Sequence, residues 1–289
     1  MTAARSTTAA LFLLLPALAV MFVTGVVPLG FVFFYSVHDT FAGNSFVWVG
    51  TDRFQDVLIN PEFHGALGRS LAFSALALLI EIPLGLWIAL RMPPDGRIAS
   101  VLLVVMTVPL LAPSIVVGHL WRALSMPGSG LLAISLNGLG LPFDMNGTVS
   151  AWAAMILMDV WHWTGLVVLL CTAGLRAIPT DYYRAAAIDG AGGWAVFRHI
   201  QLPKLRAVLL IALVLRFMDS LIIYTEAYAL TGGGPGQATE FLSLRLVQVS
   251  LVEFDLGEGA AMAVIYFLIV LTVSWAFFRL AMPGKEDRA

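Results

Sequence analysis

Apolar residues in this chain gather into long runs rather than alternating with polar ones. Six stretches, at 9–35, 68–91, 98–124, 148–175, 207–230 and 259–281, are dominated by apolar residues. Each reaches the roughly 20 residues that a helix needs to cross a bilayer. Between them lie the polar stretch 36–67, the tight turn Met92-Pro93-Pro94-Asp95-Gly96, a Gly/Pro/Asn-rich stretch at 125–147, the segment 178–206 and the stretch 231–258. The pattern predicts an all-α, polytopic membrane protein: one domain over 1–289 with six transmembrane helices. No strong internal repeat or low-complexity tract interrupts it. Arg5 followed by an apolar stretch with Ala17-Leu18-Ala19 has the look of a cleavable leader. The run continues to about Tyr35, however, well beyond the 7–15 residues of a usual leader core. It is read as the first spanning helix, tilted or extending past the bilayer.

Composition agrees. Hydrophobic residues make up 60% of the chain and charged residues 12%, about half the charge of a soluble domain. The single cysteine, Cys171, lies in an apolar run, so no intrachain disulfide forms and the residue reads as a small buried hydrophobe. The formal charge is −2 with no basic tail or aromatic–basic stripe, so nothing points to nucleic acid.

Lysine and arginine counts set the expected orientation. With the N-terminus inside, the cytoplasmic side holds eleven: Arg5, Arg91, Arg97, Arg176, Arg184, Arg198, Lys204, Arg206, Arg279, Lys285 and Arg288. The other side holds four: Arg53, Arg69, Arg122 and Arg245. Both termini are therefore expected in the cytoplasm. In the external stretch 231–258, Thr231-Gly232-Gly233-Gly234-Pro235-Gly236 is a strong turn signal. Phe241, Leu244, Val247, Leu251 and Phe254 then recur at helical spacing, which predicts a short amphipathic helix on that face. It serves either as interfacial packing or as a surface for an external partner or gate.

The cytoplasmic segment 178–206 has its own physics. Pro179 closes the fourth helix, and Thr180 and Asp181 are suited to cap a new helix over 181–188. Its Ala-rich face lets another backbone approach closely, and Gly190, Gly192 and Gly193 permit a sharp turn. A second short helix is expected over 194–201, ended by Pro203. The product is a compact helix–turn–helix rimmed with Arg and Lys.

The spacing of Ala185-Ala186, Gly190, Ile200 and Leu202-Pro203 resembles the signature loop of the inner-membrane permease subunits of ABC-type importers. More narrowly it is similar to the carbohydrate-uptake permeases related to the maltose and glycerol-phosphate systems. Ile188-Asp189-Gly190-Ala191 matches, as do Leu230 to Gly236 and Trp161 to Pro179. Arg184 stands where the family signature has Glu. The resemblance implies that the segment is a coupling helix docking into a cytoplasmic ATPase subunit through Arg184, Ala185, Ala186, Asp189, Gly190, Ile200, Leu202 and Pro203. It further implies a bacterial inner-membrane heterodimer with a second permease subunit, two ATPase subunits carrying ATP and Mg, and an extracytoplasmic solute-binding protein. The stretches 36–40 and 216–226 are closest in look to permeases for glycerol or small polyols. The chain's two lysines, Lys204 and Lys285, lie outside any phosphate-binding Gly-rich loop. No ATPase motif is present, and no cofactor is expected on this chain.

Glu81, Asp159, Arg216, Asp219 and Glu226 fall inside predicted spans, with His119 and His162. Charges at mid-bilayer are unfavourable by about 2.5–3.5 kcal/mol each on insertion scales, so most should face the interior. Arg216, Asp219, Ile223 and Glu226 share one helix face, and Arg216 can pair with Asp219. Asp159, Trp161, His162 and Trp163 cluster on the fourth helix. Together with Asp219, Tyr224 and Glu226 they are candidates for a solute pathway, since rings pack on C–H faces and acids accept from hydroxyls. The competing readings are a structural ion pair and interhelical packing. No metal-ligand spacing and no nucleophile elbow is present, which disfavours an intramembrane enzyme. An importer permease for a sugar or small polyol is the leading function. An ion-coupled secondary transporter using Asp159 and Glu226 is the alternative, weakened by the absence of evident inverted repeats.

Overall fold

The computed structural model describes residues 13–40 and 45–281. Residues 9–12 of the first predicted span lie outside the described residues, as do Arg5, Lys285 and Arg288 from the charge count. In chain order the elements are α1 (Leu13–Ser36), β1 (His38–Thr40), β2 (Phe46–Trp48), α2 (Asp52–Ile59), α3 (Pro61–Arg91), α4 (Arg97–Thr107), α5 (Ser114–Ser125), α6 (Leu131–Gly138) and α7 (Thr148–Arg176). Then come α8 (Thr180–Ile188), α9 (Gly193–Val196), α10 (Leu202–Leu221), α11 (Thr225–Leu230), α12 (Leu242–Val247) and α13 (Leu256–Ala281). The all-α expectation holds: among the described residues one three-residue hairpin is the only sheet. Among the described residues four helices, α1, α3, α7 and α13, are long and apolar enough to cross a membrane.

The third and fifth predicted spans are each broken. The run expected over 98–124 is α4, a 3-10 turn at Pro109–Leu111, and then α5. Ala112 is extended at ψ 131° because the following Pro113 disfavours helical backbone before it. The run expected over 207–230 divides between α10 and α11 without any Gly or Pro. There the Ser243 hydroxyl donates to the Ile223 carbonyl, taking an acceptor that a continuous helix would have used. Pro203 also departs from expectation, since it starts α10 instead of ending a helix. The five-residue π turn Phe197–Gln201 precedes it, closing through the Leu202 N–H to the Phe197 carbonyl. The wider turn leaves room for the Pro203 ring, so residues 193–221 form one helical run. At the start of α8 neither Thr180 nor Asp181 caps through its side chain; Asp181 pairs with Arg184 instead.

The chain divides into two compact units. In the first (1–63 and 246–269), β1 and β2 pair antiparallel with His38 opposite Trp48. Arg53 on α2 binds Asp39 on β1 at 2.6 Å and lies 3.7 Å from Asp255 before α13. Burial works against the Arg53 charge, but the Asp39 hydrogen bond and the fields of Asp255 and Asp56 outweigh it and raise its pKa.

In the second unit (64–245 and 270–289), Phe73, Met155, Met158 and Phe241 are wholly buried at the centre of the core. Helices here approach through small residues, the usual device where lipid supplies no hydrophobic drive. A Cβ on Gly165 of α7 would stand 2.0 Å from the Met106 carbonyl oxygen of α4, and one on Gly118 of α5 would stand 2.5 Å from the Ala229 Cβ of α11. The non-helical stretch 231–241 is pinned by side chains of the same unit. Arg69 Nε donates to the Glu240 carbonyl at 2.9 Å, and Trp152 Nε1 donates to the Ala238 carbonyl at 2.8 Å. The predicted amphipathic helix is present as α12 and its continuation to Val252. Its stripe is divided: Phe241 and Leu244 are buried, while Leu251 and Phe254 are exposed.

Candidate functional site

Three helices bring their charges to one point inside the second unit. Arg216 on α10 is completely buried. Its Nε and Nη2 donate to the two oxygens of Glu81 on α3 at 2.8 and 3.0 Å. Nη2 also donates to Asp159 on α7 at 2.7 Å, and Nη1 donates to Asp219 one turn along α10. The guanidinium carbon stands 4.7 Å above the Trp163 ring. This fork geometry belongs to arginine, since a lysine ammonium is a point charge that cannot bridge three carboxylates at fixed angles. Removing such a charge from water is repaid only when hydrogen bonds and opposite charges replace the lost hydration, and here four of the five guanidinium N–H groups meet a carboxylate.

A cavity of about 180 Å³ adjoins the cluster, lined by Ser114, Asp159, Trp163, Asp219, Tyr224 and Glu226 among others. It sits at both helix breaks: Ser114 opens α5 after the Pro113 interruption, and Tyr224 precedes α11. The breaks therefore place irregular backbone beside a cavity, where membrane proteins tolerate it. His162 Nδ1 lies 3.8 Å from Glu226 Oε1. Trp161 points elsewhere, half exposed, with its ring 6.2 Å from Trp121.

Thus the structure gathers Asp159, Trp163, Asp219, Tyr224 and Glu226 around one cavity, with His162 behind Glu226 and Trp161 apart. The Arg216–Asp219 pair matches its helical spacing. Glu81 was legible as a buried charge but not as the principal partner of Arg216, and Ser114 carried no signal. The chemistry on offer is carboxylate and hydroxyl acceptors beside an indole face.

The second candidate is the helix–turn–helix. In α8, Ala186 is buried while Arg184 and Ala185 are exposed, as is Asp189 just after the helix. Arg184 Nη1 contacts Asp181 Oδ1 at 3.2 Å on the open surface, a pair of little energetic weight. Gly190 has φ +67°, the left-handed turn that glycine supplies without strain. Ile188 and Trp194, on either side of that turn, are 86% and 70% exposed. Both ends of the turn thus carry a large apolar side chain left bare. Ile200 and Leu202 lie on the run leading to Pro203, and Lys204 Nζ sits 4.6 Å over the Tyr182 ring, tying the two arms together.

Residues 81–282 match the model of a family described as the inner membrane component of binding-protein-dependent transport systems. A trehalose/maltose transport system permease protein of Thermococcus litoralis is 34% identical over 95% of this chain and 94% of that protein. A trehalose transport system permease protein of Mycobacterium tuberculosis is 28% identical over 96% and 91%. Among solved structures, a chain of a bacterial ABC transporter involved in import of the acidic polysaccharide alginate superposes with TM-score 0.82, at 18% identity and 96% coverage of both chains.

Proposed function

The chain belongs to the family of inner membrane components of binding-protein-dependent transport systems, and from that premise we propose that it is the translocation subunit of an ATP-driven sugar importer. Residues 178–206 dock on ATPase subunits at the cytoplasmic face, both termini lie on that face, and a second permease completes the pathway. A binding protein delivers the solute from outside. The observation that carries this is the exposed turn bearing Ile188 and Trp194, whose second arm runs without a break into the helix holding Arg216. Movement of the turn by a partner is thereby delivered to the cavity, a rigid-body switch. The disaccharide names of the relatives favour a sugar, with Asp159, Trp163, Asp219, Tyr224 and Glu226 lining its path. The resemblance of the 216–226 stretch to polyol permeases makes glycerol the alternative solute. An ion-coupled mechanism is disfavoured because Asp159 is engaged by Arg216.

The test is uptake of labelled trehalose, maltose and glycerol into vesicles containing this chain, its partner permease, the ATPase and the binding protein. Uptake of a disaccharide that needs ATP and ignores ionophores is expected. Uptake abolished by ionophores while ATP is present would overturn the reading.

A further inference from the structure

A second cavity, of about 410 Å³, lies where three parts of the second unit end. Asp95 comes from the turn after α3, Thr172 and Arg176 from the end of α7, and Thr180, Tyr183 and Gln201 from the helix–turn–helix. Its size falls in the range of small-molecule sites. Thr172 is 4% exposed, yet its hydroxyl has no hydrogen-bond partner. A helical threonine can donate to the carbonyl one turn back, as Thr24 does to Val20 at 2.8 Å and Thr107 to Leu103 at 3.1 Å, although Thr164 on the same helix as Thr172 does not. Thr172 forgoes that bond, and a buried hydroxyl left alone costs roughly 1–3 kcal/mol. Thr172 lines the cavity, whose wall is part polar and part apolar, and a buried orphan of this kind calls for a partner.

The lining states the chemistry of that partner. Arg176 and Asp95 contribute one charge of each sign, and Thr172, Thr180 and Gln201 offer hydroxyl and amide groups. Tyr183 adds an aromatic face. An anionic headgroup would meet Asp95, and a cation would meet Arg176. An uncharged molecule with hydroxyls for these groups and C–H faces for Leu90, Met92, Leu175 and Ile178 fits the mixed wall.

We propose that this cavity is a second solute site, binding an uncharged sugar and holding the helix–turn–helix against the turn at 92–96, so that accumulated solute slows the transport cycle. The identity of the ligand as the transported solute rests on the sugar-importer reading; the binding of a sugar does not.

Two measurements test this on the assembled complex in nanodiscs, with maltose, trehalose and glycerol as probes. First, hydrogen exchange of residues 176–201 is followed without ATP or binding protein. Excess sugar should slow it in the wild type, and Thr172→Val, which keeps the shape and removes the hydroxyl, should need about tenfold more sugar for the same protection. No protection by any probe, or equal protection in Thr172→Val, overturns the proposal. So does protection that follows anionic lipid content instead of sugar. Second, ATP hydrolysis is measured with the binding protein present while sugar is raised far beyond its saturation. The rate should rise, then fall, with the fall displaced to higher sugar in Thr172→Val and Asp95→Asn. A rise without a fall removes the feedback. Sugar protection without any rise leaves the site standing and refutes the importer reading instead.

Discussion

Arg216 and Glu81 stand 135 residues apart in the chain and meet through two hydrogen bonds, with both side chains entirely out of reach of solvent. Because Asp159 and Asp219 share the same guanidinium, the ion cluster ties α3, α7 and α10 at one point. Replacing Arg216 by Met leaves three carboxylates without their cation. The expected loss is about 3–5 kcal/mol of stability, the usual result of breaking a buried pair from one side. Arg216→Lys should recover only part of it. Thermal melting of the purified protein in detergent checks both, and a Lys variant as stable as the wild type would refute the bridging role.

Close helix approach makes a different prediction. Gly165→Ala places a methyl group against the Met106 carbonyl, and overpacking of this kind costs about 1–3 kcal/mol. Gly68→Ala, on an open face of α3 with nothing within 4 Å of the new carbon, should be neutral or raise the melting temperature slightly. Equal effects from the two would mean that the α4–α7 contact is looser than described.

At Gly190 the new side chain meets nothing within 4 Å and only the backbone angle resists it. Gly190→Val should therefore fold yet lose most solute-stimulated ATP hydrolysis in the assembled complex. Gly190→Asn should retain most of it, since Asn accepts left-handed backbone. Wild-type stimulation in the Val variant would remove the turn from the mechanism.

These residues also show what the sequence made legible. The Arg216–Asp219 pair could be read because helical periodicity places residues three apart on one face. Glu81 and Asp159 lie on other helices, and no local rule reports which helices face each other. The break in the third span was written in Pro109 and Pro113. The break after Leu221 was not, because a tertiary hydrogen bond from Ser243 to the Ile223 carbonyl marks it. Pro203 misled for the converse reason: proline ends an α-helix by a clash and a missing donor, and a π turn just before it relieves the clash. The glycine turn and the first arm of the helix–turn–helix were legible because glycine and helical periodicity act at short range, although the expected side-chain cap does not form and the second arm runs on past Pro203.

Orientation can be read chemically. Cys171 is fully buried, so the native thiol gives little background. Cysteines replacing Ser100 and Ser129, both exposed, should react with an impermeant maleimide from opposite sides of right-side-out vesicles, Ser129→Cys from outside. Labelling of Ser100→Cys from outside would reverse the proposed topology.

The helical run over residues 193–221 also has a mechanical meaning. At about 1.5 Å per residue, Trp194 and Arg216 sit roughly 33 Å apart along one axis. With Arg216 gripped by three carboxylates and Trp194 bare at the far end, the proposed coupling would use the run as a lever arm pivoting at Arg216. A tilt of about 10° at the fulcrum sweeps the tip through roughly 6 Å, by the same helical rise. Under that coupling, large displacements at the exposed turn would arrive at the cavity as small, forceful rotations.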